Sequence, residues 1–134
     1  MKKKICLVVA NYYPSISKAL INGACKTLRS KGIKNFKIFK VPGVFELPYA
    51  IIKNVNKYDG FIALGCVIKG QTPHFEFISR STIDAIMHIS INYKKPISNG
   101  IITCLNQKQA LDRSAKKSNK GIESAKAILS LLKI

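Results

Sequence analysis

The chain has 134 residues, 47% of them hydrophobic, which suits one domain around one core over residues 1–134. No apolar run approaches the roughly 18 residues of a membrane span, and the basic start Met1-Lys2-Lys3-Lys4 leads into a short strand-like run without a small-residue cleavage site, so a cytoplasmic protein is expected. The net charge of +17 attracts anions, but the lysines are spread along the chain rather than gathered in one helix or tail, so neither nucleic acid nor membrane is expected as a partner.

Residues 4–10, "KICLVVA", form a β-branched run that reads as a buried strand. A helix over 16–30 follows, with Ser17 as its N-cap, Ile16, Leu20, Ala24 and Leu28 on one face, and Gly32 as its stop. The second strand is 36–41, "FKIFKV", whose lysines suit a sheet edge. "PGVFELP" leads into an apolar helix ending near Asn54, with Pro48 tolerated only in its first turn. Residues 60–68, "GFIALGCVI", form the most continuous apolar strand. The long helix over 75–93 aligns Phe75, Ile78, Thr82, Ala85, Ile86 and Ile89, while Asp84 and His88 form an ion pair on its polar side. A fourth strand over 99–105 precedes helices over 107–116 and 120–132, the first with Asn106 and Gln109 at capping-box spacing.

Strands alternating with helices imply right-handed βαβ units and an all-parallel sheet. With the most apolar strands central and the lysine-bearing strand outside, the order is 2-1-3-4. This is an α/β, three-layer flavodoxin-like sandwich with helices on both faces. Ligands in such sheets bind beyond the carboxyl ends of the strands where the winding reverses, here between strands 1 and 3. "NYYPS" and "KGQTPHF" meet at that point.

The second of these segments carries chemistry. Gly70 lets backbone approach a ligand, Gln71 and Thr72 stand before a helix N-terminus, and Lys69 adds charge: either an anion site or an ordinary glycine turn. His74 starts the helix, placed either for proton exchange near neutral pH or for a surface role. Glu46, at another strand end, either accepts hydrogen bonds from a ligand or complements a helix start. Tyr12 and Tyr13 offer a stacking face or pack as ordinary tyrosines. Cys6, Cys25, Cys66 and Cys104 lack metal-ligand spacing and read as reduced core thiols, with a Cys66–His74 catalytic pair as the alternative.

The segments "VPGVFELP", "GCVIKGQTPHFEFIS", "PISNGIITC", "QALDRSA" and "NKGIESA" together resemble the lumazine synthase family in order and spacing, from about Ile5 to Leu132. The resemblance implies condensation of 5-amino-6-(D-ribitylamino)uracil with 3,4-dihydroxy-2-butanone 4-phosphate. The products are 6,7-dimethyl-8-ribityllumazine, phosphate and water, without cofactor or metal. By position it implies that Tyr12 stacks on the pyrimidine and that Val44, Phe45 and Glu46 hold the ring and ribityl chain. Cys66, Val67 and Ile68 line the pyrimidine edge, and Lys120 lies near the ring. Gly70, Gln71, Thr72 and Arg113 bind phosphate, and His74 transfers protons. Asn99 stands where the family carries an aromatic on the substrate. The connector from Arg113 to Lys120 is one residue short and lacks the family's glycines. The resemblance further implies a homopentamer with active sites between adjacent subunits, a higher assembly governed by that connector, and a functional link to riboflavin synthase. Two other classes share the fold: a flavin- or ligand-binding protein without catalysis, and a basic nucleic-acid-binding module.

Overall fold

The computed structural model describes residues 2–133; the ends of the expected domain, Met1 and Ile134, lie outside the described residues. The elements are β1 (Ile5–Ala10), α1 (Pro14–Ser30), β2 (Phe36–Val41), a 3-10 turn (Val44–Glu46), α2 (Leu47–Lys53), β3 (Gly60–Ile68), α3 (His74–Tyr93), β4 (Ile97–Cys104), α4 (Gln107–Arg113), a second 3-10 turn (Lys116–Ser118) and α5 (Lys120–Leu131). The sheet has the order β2-β1-β3-β4, and every pairing is parallel.

Burial explains this order. All of β1 and the first seven residues of β3 are buried, because central parallel strands are covered on both faces. Along β1, Leu7 and Val9 pack with Leu20, Ala24 and Leu28 of α1 and with Ala125 and Ile128 of α5. Cys6, Val8 and Ala10 point the other way, onto Val44, Leu47, Ile51 and Ile86. Thus α1, α4 and α5 cover one face while α2 and α3 cover the other. Each fully buried Leu or Ile contributes about 1.5–3 kcal/mol of transfer free energy. The lysine-bearing β2 takes an edge, as its composition predicts.

Several local expectations are corrected. Helix α1 starts at Pro14, two residues early, because proline's missing N–H costs nothing in a first turn. Ser17 is therefore inside the helix and not its cap; its buried hydroxyl donates to the Ala10 carbonyl at 2.9 Å. Strand β4 spans Ile97–Cys104, because the Leu105 N–H turns to the Gln109 side chain at 2.8 Å instead of continuing the strand. Asn106 does cap α4, accepting from the Gln109 N–H at 2.9 Å. That helix ends at Arg113, three residues early: Lys116 adopts left-handed backbone (φ 40°), which breaks a helix. Asp84 and His88 form no ion pair; the pair found among the described residues is Lys120–Glu123, at 3.1 Å.

Helix α3 buries Thr82 and Ile86 on the predicted side. It also leaves Phe77, Met87 and Ile91 exposed toward one side and Tyr93 on another. Large apolar side chains exposed on one side of a surface helix are available for contact.

Candidate active site

The carboxyl ends of β1 and β3 open onto a cavity of about 540 Å³, at the predicted reversal of winding. Tyr12 and Tyr13 follow β1; Val44, Phe45 and Glu46 come from the 3-10 turn; Cys66, Val67 and Ile68 end β3. Gly70, Thr72 and His74 close the remaining side. Ten of the fourteen predicted site residues thus meet at one cavity. The sequence reading missed Phe75 and Ile78 as apolar wall, although α3's inward face already contained both.

Local structure fixes several of these groups. The Tyr12 and Tyr13 rings meet edge to face at 5.0 Å, which leaves Tyr12 mostly exposed at the mouth. Tyr13 is half-buried, and burial first, then the nearby Cys66 and Tyr12 groups, raises its phenol above the usual range. Glu46 Oε1 accepts from the Gly43 N–H at 2.8 Å, so one oxygen holds the turn in place. Phe45 projects outward from that turn, 64% exposed, without a partner surface in its own chain.

The loop from Gly70 to Pro73 is exposed throughout. The Lys69 N–H anchors its start to the Cys104 carbonyl at 2.8 Å. Helix α3 begins at His74, one residue earlier than expected, with Pro73 at the N-cap and no side-chain cap. Its first N–H groups therefore face the loop with the positive end of the helix dipole behind them. Such an end suits an anion. Gln71 is exposed and lies outside the cavity wall.

Asn99, Arg113 and Lys120 are elsewhere. They line a second cavity of about 350 Å³ along β4, with Thr103, Ser118 and Glu123. Arg113 Nη1 reaches the Thr103 carbonyl only loosely, at 3.4 Å, so its guanidinium remains available. Asn99 Oδ1 accepts from the Ile101 N–H at 3.0 Å, occupying a backbone donor on the outer strand. Within one chain His74 and Arg113 therefore line two distinct cavities. Lys120 is held by the start of α5, which Asn119 caps by accepting from the Gly121 and Ile122 N–H groups at 2.7 and 3.2 Å.

The thiol alternative fails on physical grounds. Burial, then the neighbouring Cys104 thiol, pushes Cys66 up to about 12. It is a neutral thiol at neutral pH, and the thiolate is the nucleophile. Iodoacetamide near pH 8 is expected to leave native Cys66 unmodified for as long as the urea-unfolded chain takes to react fully. Rapid native alkylation at Cys66, read by peptide mass, would contradict this environment.

The family model described as 6,7-dimethyl-8-ribityllumazine synthase matches residues 2–134. Three relatives, each named 6,7-dimethyl-8-ribityllumazine synthase, align along nearly the whole chain. That of Bartonella henselae is 41% identical over 136 residues, covering 98% of this chain and 87% of its own. The Ruthia magnifica protein is 36% identical, with coverages of 98% and 84%. The Renibacterium salmoninarum protein is 34% identical, with coverages of 94% and 85%. Among solved structures, a de novo designed Rossmann fold protein overlaps with a TM-score of 0.42 at 17% identity, covering 82% of this chain and 90% of its own, too loose a likeness to add to the fold. A match across residues 2–134 and relatives at 34–41% identity settle the kinship: this chain belongs to the 6,7-dimethyl-8-ribityllumazine synthase family.

Proposed function

We infer that the enzyme condenses 5-amino-6-(D-ribitylamino)uracil with 3,4-dihydroxy-2-butanone 4-phosphate. It releases 6,7-dimethyl-8-ribityllumazine, phosphate and water, and is a transferase of riboflavin biosynthesis. The residue roles rest on one observation: a cavity that combines stacking rings, an open helix N-terminus and an imidazole, yet holds no arginine.

The pyrimidine lies against Tyr12, along the backbone of Cys66, Val67 and Ile68, with its ribityl chain toward Val44, Phe45 and Glu46. The phosphate of the second substrate docks at Gly70, Gln71 and Thr72, where α3's free N–H groups point outward. The amine attacks the ketone, water leaves to form an imine, phosphate departs, and the second amine closes the ring with loss of a second water. Each step moves protons, and His74 at the cavity wall relays them. Departing phosphate needs fixed positive charge, which a bidentate guanidinium supplies well.

Within its own chain Arg113 is in the other cavity. We therefore place Asn99, Arg113 and Lys120 of one subunit against the 540 Å³ cavity of the next. Two different surfaces meeting head to tail generate a ring where the rotation between neighbours closes. The exposed Phe45 and the exposed apolar side chains of α3 supply contact area for it. The ring is a homopentamer working in the cytoplasm, with its product passed to riboflavin synthase.

Mixing both substrates with the protein is expected to yield fluorescent lumazine and phosphate in equal amounts. Absence of either product overturns the function. His74→Ala is expected to lower kcat about a hundredfold with KM little changed; an unchanged kcat would remove His74 from proton transfer. Sedimentation should show a species of about five chains.

A further inference from the structure

The lysines are dispersed in sequence but not in space. A parallel sheet wound with helices collects every strand start and every long-helix end at one pole, opposite the active site. Lys2, Lys3 and Lys4 lead into β1, Lys34 into β2, Lys57 into β3, and Lys94 and Lys95 into β4. Arg29 and Lys31 close α1, Lys53 ends α2 and Lys133 follows α5. Backbone bonds knit these starts into one surface: the Ile5 N–H donates to the Asn35 carbonyl, the Asp59 N–H to Lys4 and the Phe61 N–H to Pro96.

Eleven of the 23 cations therefore share this pole with a single acid, Asp59. Asp59 is partly spent, since Oδ2 accepts from the Lys4 N–H at 2.7 Å. Helix dipoles do not account for the rest. Four helix C-termini supply about half a negative charge each, roughly −2 in total. Two of the lysines, Lys94 and Lys133, even occupy left-handed backbone (φ 49° and 58°), where glycine carries no steric cost.

We propose that this pole binds the phosphate backbone of duplex nucleic acid without reading its bases. Four strands about 4.8 Å apart make a row of about 14 Å. A duplex carries one charge per about 1.7 Å, so the row spans roughly eight phosphate charges, comparable to the cations available. Stacking of unpaired bases is not favoured. Phe36 is half-buried with the Arg29 guanidinium 5.4 Å above it, and Tyr58 packs on Phe61 at 5.7 Å, which leaves Tyr93 as the exposed ring. A lipid surface is also less suited. The apolar side chains at this end, Ile33, Val55, Ile97 and Leu132, are buried or half-buried. The exposed Ile91 and Tyr93 belong to α3 and Leu131 to α5, on opposite faces of the sheet, and form no common patch.

The test is fluorescence anisotropy with a labelled DNA duplex of about 20 base pairs and mixed sequence. The wild-type protein is expected to bind and to lose about ten-thousandfold in affinity between about 50 and 200 mM salt. A variant carrying Lys2→Gln, Lys34→Gln, Lys57→Gln and Lys94→Gln is expected to bind at least about 30-fold more weakly at the lower salt, with a flatter salt dependence. Its lumazine synthesis should be unchanged, which separates this surface from the active site. A control carrying Lys18→Gln, Lys40→Gln, Lys108→Gln and Lys126→Gln removes the same charge elsewhere and should retain most of the binding. No duplex binding at low salt, an equal loss in both variants, or binding to phosphatidylglycerol vesicles in place of duplex would each overturn the proposal.

Discussion

Arg113→Ala is expected to lower kcat/KM for the phosphorylated ketone by about a hundredfold to a thousandfold, the usual cost of losing a fixed charge at a departing oxyanion. The more telling result comes from mixing. Arg113→Ala chains keep the 540 Å³ cavity with His74, and His74→Ala chains keep the cavity along β4 with Arg113. If each active site joins one cavity from each of two neighbours, chains unfolded together and refolded at equal ratio should form about a quarter of their sites intact, whatever the ring size. Activity should return to about that fraction of wild type, although either variant alone keeps only about a hundredth or less. Sites complete within single chains would give no recovery at all. Arg113 makes one long hydrogen bond, at 3.4 Å to the Thr103 carbonyl, and lies beside the Cys104 thiol, so its loss should not unfold the protein and the readout stays clean.

Local pattern carries no sign that the predicted site residues divide between two cavities; only the family resemblance, with its active sites between adjacent subunits, implied it. Strands and helices announce themselves through local periodicity, and Gly60–Ile68 was legible to the residue because a doubly covered strand must be apolar throughout. The cavity followed from topology, since a 2-1-3-4 sheet leaves one place where two loops part. That Arg113 lines a cavity apart from His74 has no local signature. The lysine pole is a second case: spacing along the chain hides a cluster that only the winding creates. Helix ends were least legible. Ser17 looked like a cap until Pro14 claimed the first turn, and the true cap of α5, Asn119, looked like an ordinary loop residue. Its side chain also donates to the Ala19 and Ser114 carbonyls, both at 2.9 Å, from a buried position. Ala19 lies 100 residues away in sequence, far beyond any local window, and Ser114 only 5.

Gly121→Val is expected to cost at least about 3 kcal/mol of stability, lowering Tm by roughly 10 °C or preventing folding outright. Gly121 is in the first turn of α5, and a Cβ there would press into the Leu20 carbonyl oxygen of α1 and come within 2.8 Å of Asn119 Oδ1. The obstacle is backbone on a buried helix, so no rotamer change relieves it. Gly23 faces the same contact from α1, where a Cβ would lie 2.6 Å from Asn119 Oδ1. The two glycines thus let α1 and α5 approach until Asn119 can bridge them. Even Gly121→Ala should destabilise, although alanine in a helix is intrinsically better by about 1 kcal/mol, because overpacking outweighs that gain. Gly70→Ala is the contrast, since a Cβ there meets nothing within 4 Å: Tm should hold while phosphate use falls. The consequence reaches the active site, because α5's first turn is what carries Lys120 to the second cavity. Thermal melts of the three variants decide the matter; a Gly121→Val protein as stable as wild type would mean that α1 and α5 do not pack this closely.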